Sequence, residues 1–217
     1  MNTRISIVAC VLVALAACSS NPAPPQWPGE AKGSSERALE AWLSGNSRIE
    51  AAEFSRARAE LASTGQVGLV ARLELLRCAT RVASLVVEPC AGFDALAQDA
   101  DPAEQAYARY LAGTAQAADA ALLPDAHRAL VGNAAPDAAL ASIPDPLSQL
   151  VAAGVLFRSG RATPAVIKQA VDTASARGWR RPLLAWLQVQ QQRASAAGDA
   201  PAAAALQRRI DLVLPPR

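Results

Sequence analysis

The sequence predicts an all-α protein, and three observations support this. Alanine, the best helix former, supplies about a quarter of the 217 residues. Aromatic residues make up only 4% of the chain, which is too few for the alternating strands of a β-sandwich. Apolar residues recur at helical spacing in segments separated by glycine and proline. We therefore expect antiparallel helical hairpins in an α-solenoid arrangement, preceded by a disordered N-terminal tether.

The chain begins with the pattern of an export signal. Arg4 precedes an apolar run over 5–17, which is shorter than the roughly 20 residues that a membrane-spanning helix needs. The run ends in Leu15-Ala16-Ala17-Cys18. This motif resembles the lipobox of bacterial lipoproteins. The resemblance implies that residues 1–17 are a signal peptide, that cleavage occurs before Cys18, and that Cys18 carries palmitate and other acyl chains.

The residue after the lipobox bears on localisation. In bacterial lipoproteins an Asp at this position commonly marks retention in the inner membrane, and here the residue is Ser19. The resemblance therefore implies a lipid anchor in the outer membrane, with the body facing the periplasm. An ordinary secretory signal would leave a soluble protein, but a cysteine directly after Leu-Ala-Ala would serve no purpose there.

Residues 18–33 are predicted to form the lipidated, disordered tether, because they contain four prolines, two glycines and few side chains that could be buried. The helical domain is expected over 34–217, starting with a helix from Ser34 or Ser35. Ser47 and Glu50 have the spacing of a capping box that opens a second helix. A third helix, over about 66–84, is apolar on most of its circumference and is predicted to be the buried centre of the N-terminal half, 34–118.

Two cysteines remain in the processed chain, Cys78 and Cys90, and in an oxidising compartment they predict one disulfide. A helix that continued from Cys78 to Glu88 would carry the chain about 15 Å away, too far for a two-residue return. The third helix must therefore end near Ser84 or Leu85.

Helix-capping residues and helix-breaking prolines predict the remaining elements of the N-terminal half and of the middle of the chain. A short helix with Phe93 is expected, and then a helix capped by Asp101 and Glu104. The segment 119–145 is cut by several prolines and predicts a hinge with short helices at about 125–131 and 137–142.

Four helices are predicted in the C-terminal half, 146–217, at about 146–159, 164–177, 181–197 and 200–213. They are separated by Gly160, Gly178 and Gly198, and the connections are short enough to make successive helices antiparallel neighbours. Two turns are similar to the turn of a tetratricopeptide repeat: Ala197-Gly198-Asp199 followed by Ala203, and Gly160 followed by Ala165. The resemblance covers residues 146–213 at most and implies TPR-like packing of helical pairs.

Charge is distributed unevenly along the chain. Residues 86–145 hold nine acidic and two basic side chains, whereas residues 146–217 hold ten basic and three acidic ones. The two segments either neutralise each other across one fold, or the basic C-terminal half binds an acidic partner. The net charge of +2 hides this asymmetry.

The sequence contains no strong catalytic motif. His127 is the only histidine, and Asp125 lies two residues away, on a different side of a helix, so we expect an exposed helical histidine and no catalytic site. The sequence has no HExxH or CxxC motif and no glycine-rich phosphate loop, so we expect no metal and no cofactor. Nucleic acid is not expected at the outer membrane, and the arginines lack interleaved aromatic residues on which bases could stack.

The best candidate for an interaction surface is Trp179-Arg180-Arg181, because Trp and Arg are enriched at protein interfaces. The alternative for Trp179 is that it fills a corner between helices, and Trp186 is expected in the core. The sequence as a whole predicts a membrane-anchored, non-enzymatic scaffold or accessory protein of an envelope assembly. The alternative is a protein that binds an acidic envelope polymer or lipid through its basic half.

Overall fold

The computed structural model describes residues 25–132 and 135–214, and every regular element in them is a helix. This confirms the all-α class, whereas the solenoid arrangement stays a prediction. The α-helices, numbered in chain order, are α1 (Trp27–Leu43), α2 (Ser47–Ala62), α3 (Val67–Ala83), α4 (Ala91–Asp94), α5 (Pro102–Ala112), α6 (Asp125–Arg128), α7 (Pro136–Ala141), α8 (Pro146–Arg158), α9 (Pro164–Ala176), α10 (Arg180–Ala196) and α11 (Ala200–Val213). Two 3₁₀ helices, Ala97–Asp99 and Ala117–Leu122, complete the set in these residues.

Helix α1 begins at Trp27, so the prediction of a disordered tether is wrong from Trp27 to residue 33. Proline is well placed in the first turn of this helix, where its missing N–H has no partner to lose. Ala31 is only 4% exposed, and α1 packs along α2. Burial of the first turns therefore outweighs the unfavourable local composition. The tether residues 18–24, like the signal peptide and Cys18, lie outside the described residues.

The start of α2 also differs from the prediction. Asn46 is the capping residue, and its side-chain oxygen accepts a hydrogen bond from the Ile49 backbone nitrogen at 3.1 Å. Glu50, expected in a capping box with Ser47, instead turns inward and is 4% exposed. The capping box of Asp101 and Glu104 at the start of α5 is present as predicted.

Helix α3 is the buried centre of the N-terminal half, as its all-round apolar pattern predicts. It packs against α1, α2, α5 and α8. The Trp42 indole donates to the Thr80 carbonyl and the Trp186 indole to the Ala83 carbonyl, both at 3.1 Å. Two helices that are distant in sequence are thereby tied to the last turn of α3, and Trp186 is a core residue as expected.

The loop after α3 is closed by the predicted disulfide between Cys78 and Cys90, whose Cα atoms lie 5.8 Å apart. The helix ends at Ala83, which agrees with the geometric argument from sequence. Leu85 then adopts a left-handed conformation with φ +56°, which is rare for a residue with a side chain. This turn reverses the chain and brings Cys90 back beside α3.

Segment 119–145 contributes to the same core as both halves of the chain. Leu123, Leu130, Leu140 and Ile143 are all at most 4% exposed and pack into the main apolar cluster. The short helices α6 and α7 lie close to the predicted positions. The division into halves about a hinge stays a prediction.

Helices α8 to α11 follow one another as packed neighbours. Gly160, Gly178 and Gly198 each have φ near +70°, and each ends its helix with the paired backbone hydrogen bonds of a Schellman motif. Helix α11 lies at the end of this series: Leu212 is 84% exposed, and Ile210 is the buried residue of the helix. The TPR-like resemblance stays a prediction.

Helices α3 and α8 approach closely where Gly154 faces Val82. A Cβ added to Gly154 would lie 2.2 Å from the Val82 carbonyl oxygen, a distance that only displacement of the backbone could relieve. Residues 149–156 of α8 are buried throughout. The absence of a side chain at Gly154 therefore sets the distance between the two central helices.

Replacing Gly154 with Ala should lower the free energy of unfolding by about 2 kcal/mol, because forcing the helices apart outweighs the gain in helix propensity. Gly29 provides the control, since an added Cβ there meets no atom within 4 Å, and Gly29→Ala should raise the free energy by about 0.5–1 kcal/mol. Urea unfolding checks both variants. A Gly154→Ala protein as stable as the original chain would contradict this account of the α3–α8 contact.

Candidate functional site

A cleft of about 480 Å³ opens between α3, α5, α8, the second 3₁₀ helix and α6. Its size is that of a small-molecule site. The walls are mainly apolar and include Leu75 and Leu76 of α3, Tyr107 of α5, and Leu122 and Leu123. Leu122 is 42% exposed and lies at the rim.

Two short sequence features bring polar groups to this cleft. The capping box at Asp101 and Glu104 fixes the start of α5, and one turn later Tyr107 and Tyr110 lie on the same side of the helix. Pro124 precedes the single turn of α6, which carries His127 towards both tyrosines. The aromatic rings of Tyr107 and Tyr110 lie 5.8 and 4.9 Å from the imidazole, measured between centroids.

His127 is buried, and the expectation of an exposed helical histidine is therefore wrong. Only 2% of its surface is exposed, and its Nδ1 lies 3.1 Å from the Tyr110 hydroxyl. Spacing along the chain gave no sign of this, because the partners of His127 lie on α5. Asp125, the neighbour considered from sequence, instead pairs with Arg128 at 2.7 Å.

Burial sets the protonation of the site. It lowers the pKa of His127 to about 4, although the negative charge of Asp145 acts in the opposite direction. Burial, assisted by Asp145, raises the pKa of Tyr107 well above its usual value. Both side chains are therefore uncharged at neutral pH. A histidine with so low a pKa is a poor general base at that pH, and the arrangement favours binding over proton transfer.

An ion pair borders the cleft. Arg72 Nε donates to Glu104 Oε1 at 2.7 Å, and Glu104 Oε2 accepts from the Asp101 backbone nitrogen at 2.6 Å. Both oxygens of this carboxylate are thus engaged within the protein. Glu104 serves the packing of α3 against α5 and is not available as a catalytic acid.

The predicted interaction surface Trp179-Arg180-Arg181 is mostly internal. The Trp179 side chain is 5% exposed, and its indole donates to Glu40 at 3.1 Å. Arg181 donates to the Trp42 carbonyl at 2.8 Å. Arg180 is exposed. The prediction is therefore wrong for Trp179, which is buried, and the contacts of Trp179 and Arg181 hold the start of α10 against α1.

Trp42 lies between two guanidinium groups. The central carbons of Arg81 and Arg181 lie 3.3 and 3.7 Å from its ring centre, and at such distances the two groups must occupy opposite faces. Arg81 is itself buried and pairs with Glu50 at 2.9 Å. This Trp42 stack, formed by Trp42, Arg81 and Arg181, joins α1, α3 and α10 and leaves these aromatic and cationic groups engaged inside the protein.

The basic side chains of the C-terminal half lie mainly on its surface. Arg180, Arg193, Arg208 and Arg209 are exposed, and within residues 25–132 and 135–214 their side chains form no ion pair. By contrast, acids of the middle segment are partly used inside, since Asp119 is 6% exposed and is held by Arg109. The two segments thus do not simply neutralise each other along one shared surface.

Comparison with family models, curated proteins and solved structures gives no match. In the parts of the chain that the structure describes, no helix is both long and apolar enough to cross a membrane. The same residues contain no group of three or more histidine, cysteine or acidic side chains that could hold a metal ion. The site must therefore be interpreted from its own geometry.

The buried imidazole predicts a loss of stability in mild acid. The unfolded chain takes up a proton at His127 near pH 6.5 and the folded chain only near pH 4, so the stabilisation is complete above pH 6.5 and is lost as the pH falls towards 4. Between pH 7 and pH 5 the free energy of unfolding should fall by about 2 kcal/mol from this group. Urea unfolding of the original chain and of His127→Gln measures it, since the variant keeps the titration of the acids. If the free energy of unfolding fell equally with pH in both proteins, a neutral, buried His127 would be contradicted.

Proposed function

We propose that the chain is a lipid-anchored protein of the bacterial outer membrane whose helical body binds another envelope protein in the periplasm and catalyses no reaction. The anchor rests on the resemblance of Leu15-Ala16-Ala17-Cys18 to a lipobox. One acyl chain gives only marginal membrane binding, whereas two or more hold a protein stably. Acylated Cys18 would therefore keep the body at the membrane surface.

The Cys78–Cys90 disulfide is the observation that carries the proposal. Disulfides form and persist in oxidising compartments such as the periplasm and are rare in the cytosol. The bond closes the loop after α3, next to the left-handed turn at Leu85, so it stabilises the connection that follows the central helix. A protein that uses a disulfide in this position is suited to export.

The outer face of α11 supports a role in protein binding. Leu212 on α11 and Leu214, directly after the helix, are 84% and 46% exposed, at the end of a series of packed helices. A helix from a partner protein could continue this packing, as neighbouring units do in helical repeat proteins. Arg208 and Arg209 on the same helix would favour a partner with acidic side chains beside its apolar face.

A comparison of cells that express Cys18→Ala with cells that express the original chain tests the anchor. Without the acylated cysteine, the mature N terminus at residue 18 should disappear, and cross-linking in intact envelopes should no longer recover the partner that the original chain captures. Cys10→Ala is the matched control, because the proposed signal peptide is removed and the mature protein is unchanged. Intact mass spectrometry of the original chain showing an unacylated polypeptide, or one that begins elsewhere, would contradict the proposal.

A second function is favoured by the exposed arginines of the C-terminal half. Arg180, Arg193, Arg208 and Arg209 have no ion-pair partner within the described residues, so they are available to an acidic envelope polymer or lipid. Such binding would be screened by salt, whereas an apolar contact at α11 would be much less affected.

Replacing Arg208 and Arg209 by Gln should weaken binding to vesicles that contain phosphatidylglycerol by about ten- to thirtyfold at low salt, because each surface arginine contributes about 1 kcal/mol. The control, Arg48→Gln with Arg56→Gln, removes the same charge from α2. Vesicle sedimentation over a salt series measures both. Equal weakening by the two pairs would show an effect of net charge alone and would exclude a binding surface on the C-terminal half.

A further inference from the structure

Among the polar atoms in the wall of the cleft, two that belong to neighbouring aromatic side chains lack a partner inside the protein. The Tyr107 hydroxyl and the His127 Nε2 form no hydrogen bond within residues 25–132 and 135–214, although both side chains line the cleft. Neither atom is sealed off from the surface, because in the same residues no fully buried side-chain nitrogen or oxygen is left without a partner. Both atoms are thus accessible to solvent, and both side chains line the cleft.

The direction of the hydrogen bond between Tyr110 and His127 determines what Nε2 offers. A neutral imidazole carries one hydrogen. If the Tyr110 hydroxyl donates to Nδ1, only the N–H at Nε2 is left unbonded. If Nδ1 donates instead, both the Tyr110 hydrogen and the Nε2 lone pair are left unbonded. The first arrangement leaves fewer unsatisfied groups, so Nε2–H points into the cleft as a donor.

The surroundings select against an anionic ligand. Asp145 acts electrostatically on both Tyr107 and His127, and its carboxylate accepts from the Ser148 backbone nitrogen at the cleft wall at 2.7 Å. A carboxylate in the cleft would be repelled by this charge. Arg72, the cation that lines the cleft, is already paired with Glu104 at 2.7 Å. Apart from Ser148, the remaining residues of the wall are apolar: Leu75, Leu76, Ala103, Leu122, Leu123 and Pro124.

We propose that this cleft binds an uncharged, mainly apolar molecule through a carbonyl oxygen, of the kind that an acyl ester or amide provides. The Tyr107 hydroxyl and His127 Nε2–H donate to that oxygen, and the rings that carry them lie 5.8 Å apart. The hydrocarbon part lies against Leu75, Leu76 and Leu122. The site does not depend on acylation of Cys18 or on the basic C-terminal half.

Photolabelling of the full-length protein in lipid nanodiscs tests the proposal. The probe is the methyl ester of a fatty acid that carries a diazirine in its chain, and the labelled peptides are mapped by mass spectrometry. We expect labelling of the peptides that contain Leu75–Leu76 and Leu122–Pro124, competed by methyl decanoate. Decanoate should compete about tenfold less well, because Asp145 repels its charge. Labelling spread evenly over the surface, or equal competition by decanoate, would overturn the proposal.

Tyr107→Phe separates binding from folding. The variant keeps the ring and loses a hydroxyl that has no partner within the described residues, so the unfolding midpoint should not fall. Labelling of the cleft peptides should weaken about three- to tenfold, as expected for one lost hydrogen bond. Leu122→Arg, at the exposed rim, should block the entrance in a folded protein. Unchanged labelling in both folded variants would overturn the proposal.

A second probe, a phospholipid with the diazirine in an acyl chain, identifies the source of the ligand. Labelling of the same two peptides by this nanodisc lipid would indicate an acyl ester of the membrane. Labelling by the dissolved methyl ester alone would indicate a free small molecule of the same chemistry. Labelling of these peptides by neither probe would exclude the site.

Discussion

The structure depends on the burial of α3, a central helix that nevertheless carries charged side chains. Each of these charges is compensated by a neighbouring helix: Arg72 pairs with Glu104, Glu74 with Arg58, and Arg77 and Arg81 with Glu50. A buried charge without a partner is strongly destabilising, so α2 and α5 can pack on α3 only in the arrangement that brings these partners together. The ion pairs thus restrict how the helices of the N-terminal half can be assembled.

Small residues allow a chain with few aromatic side chains to form a dense core. Ala79, Ala83, Ala152 and Ala153 are at most 2% exposed, and Gly154 brings α8 against the α3 backbone. Such contacts bury backbone more than side chains, and close packing supplies the dispersion energy that larger groups would otherwise provide. The alanine-rich composition is therefore compatible with a main apolar cluster that extends from Trp42 to Ile210, beside a smaller one around Phe54.

Local signals in the sequence predicted the parts of the fold that local chemistry determines. The breaks at Gly160, Gly178 and Gly198 and the Cys78–Cys90 bond follow from backbone preference and chain reach. The predictions failed where residues distant in sequence determine the position of a side chain. Glu50 does not form the expected capping box and instead pairs with arginines on α3, and His127 is buried against tyrosines on α5. A lone histidine between short helices carries no periodic signal, so the candidate cleft could not have been found from spacing.

The difference between satisfied and unsatisfied polar groups separates packing from binding in this protein. In the Trp42 stack, every cation has an aromatic face and an oxygen acceptor, so these residues are explained by the contact of α1, α3 and α10. The Tyr107 hydroxyl, by contrast, has no hydrogen-bond partner within the described residues and is accessible to solvent. The packing of the helices does not use this hydroxyl, and beside His127 it is available to donate a hydrogen bond to a ligand.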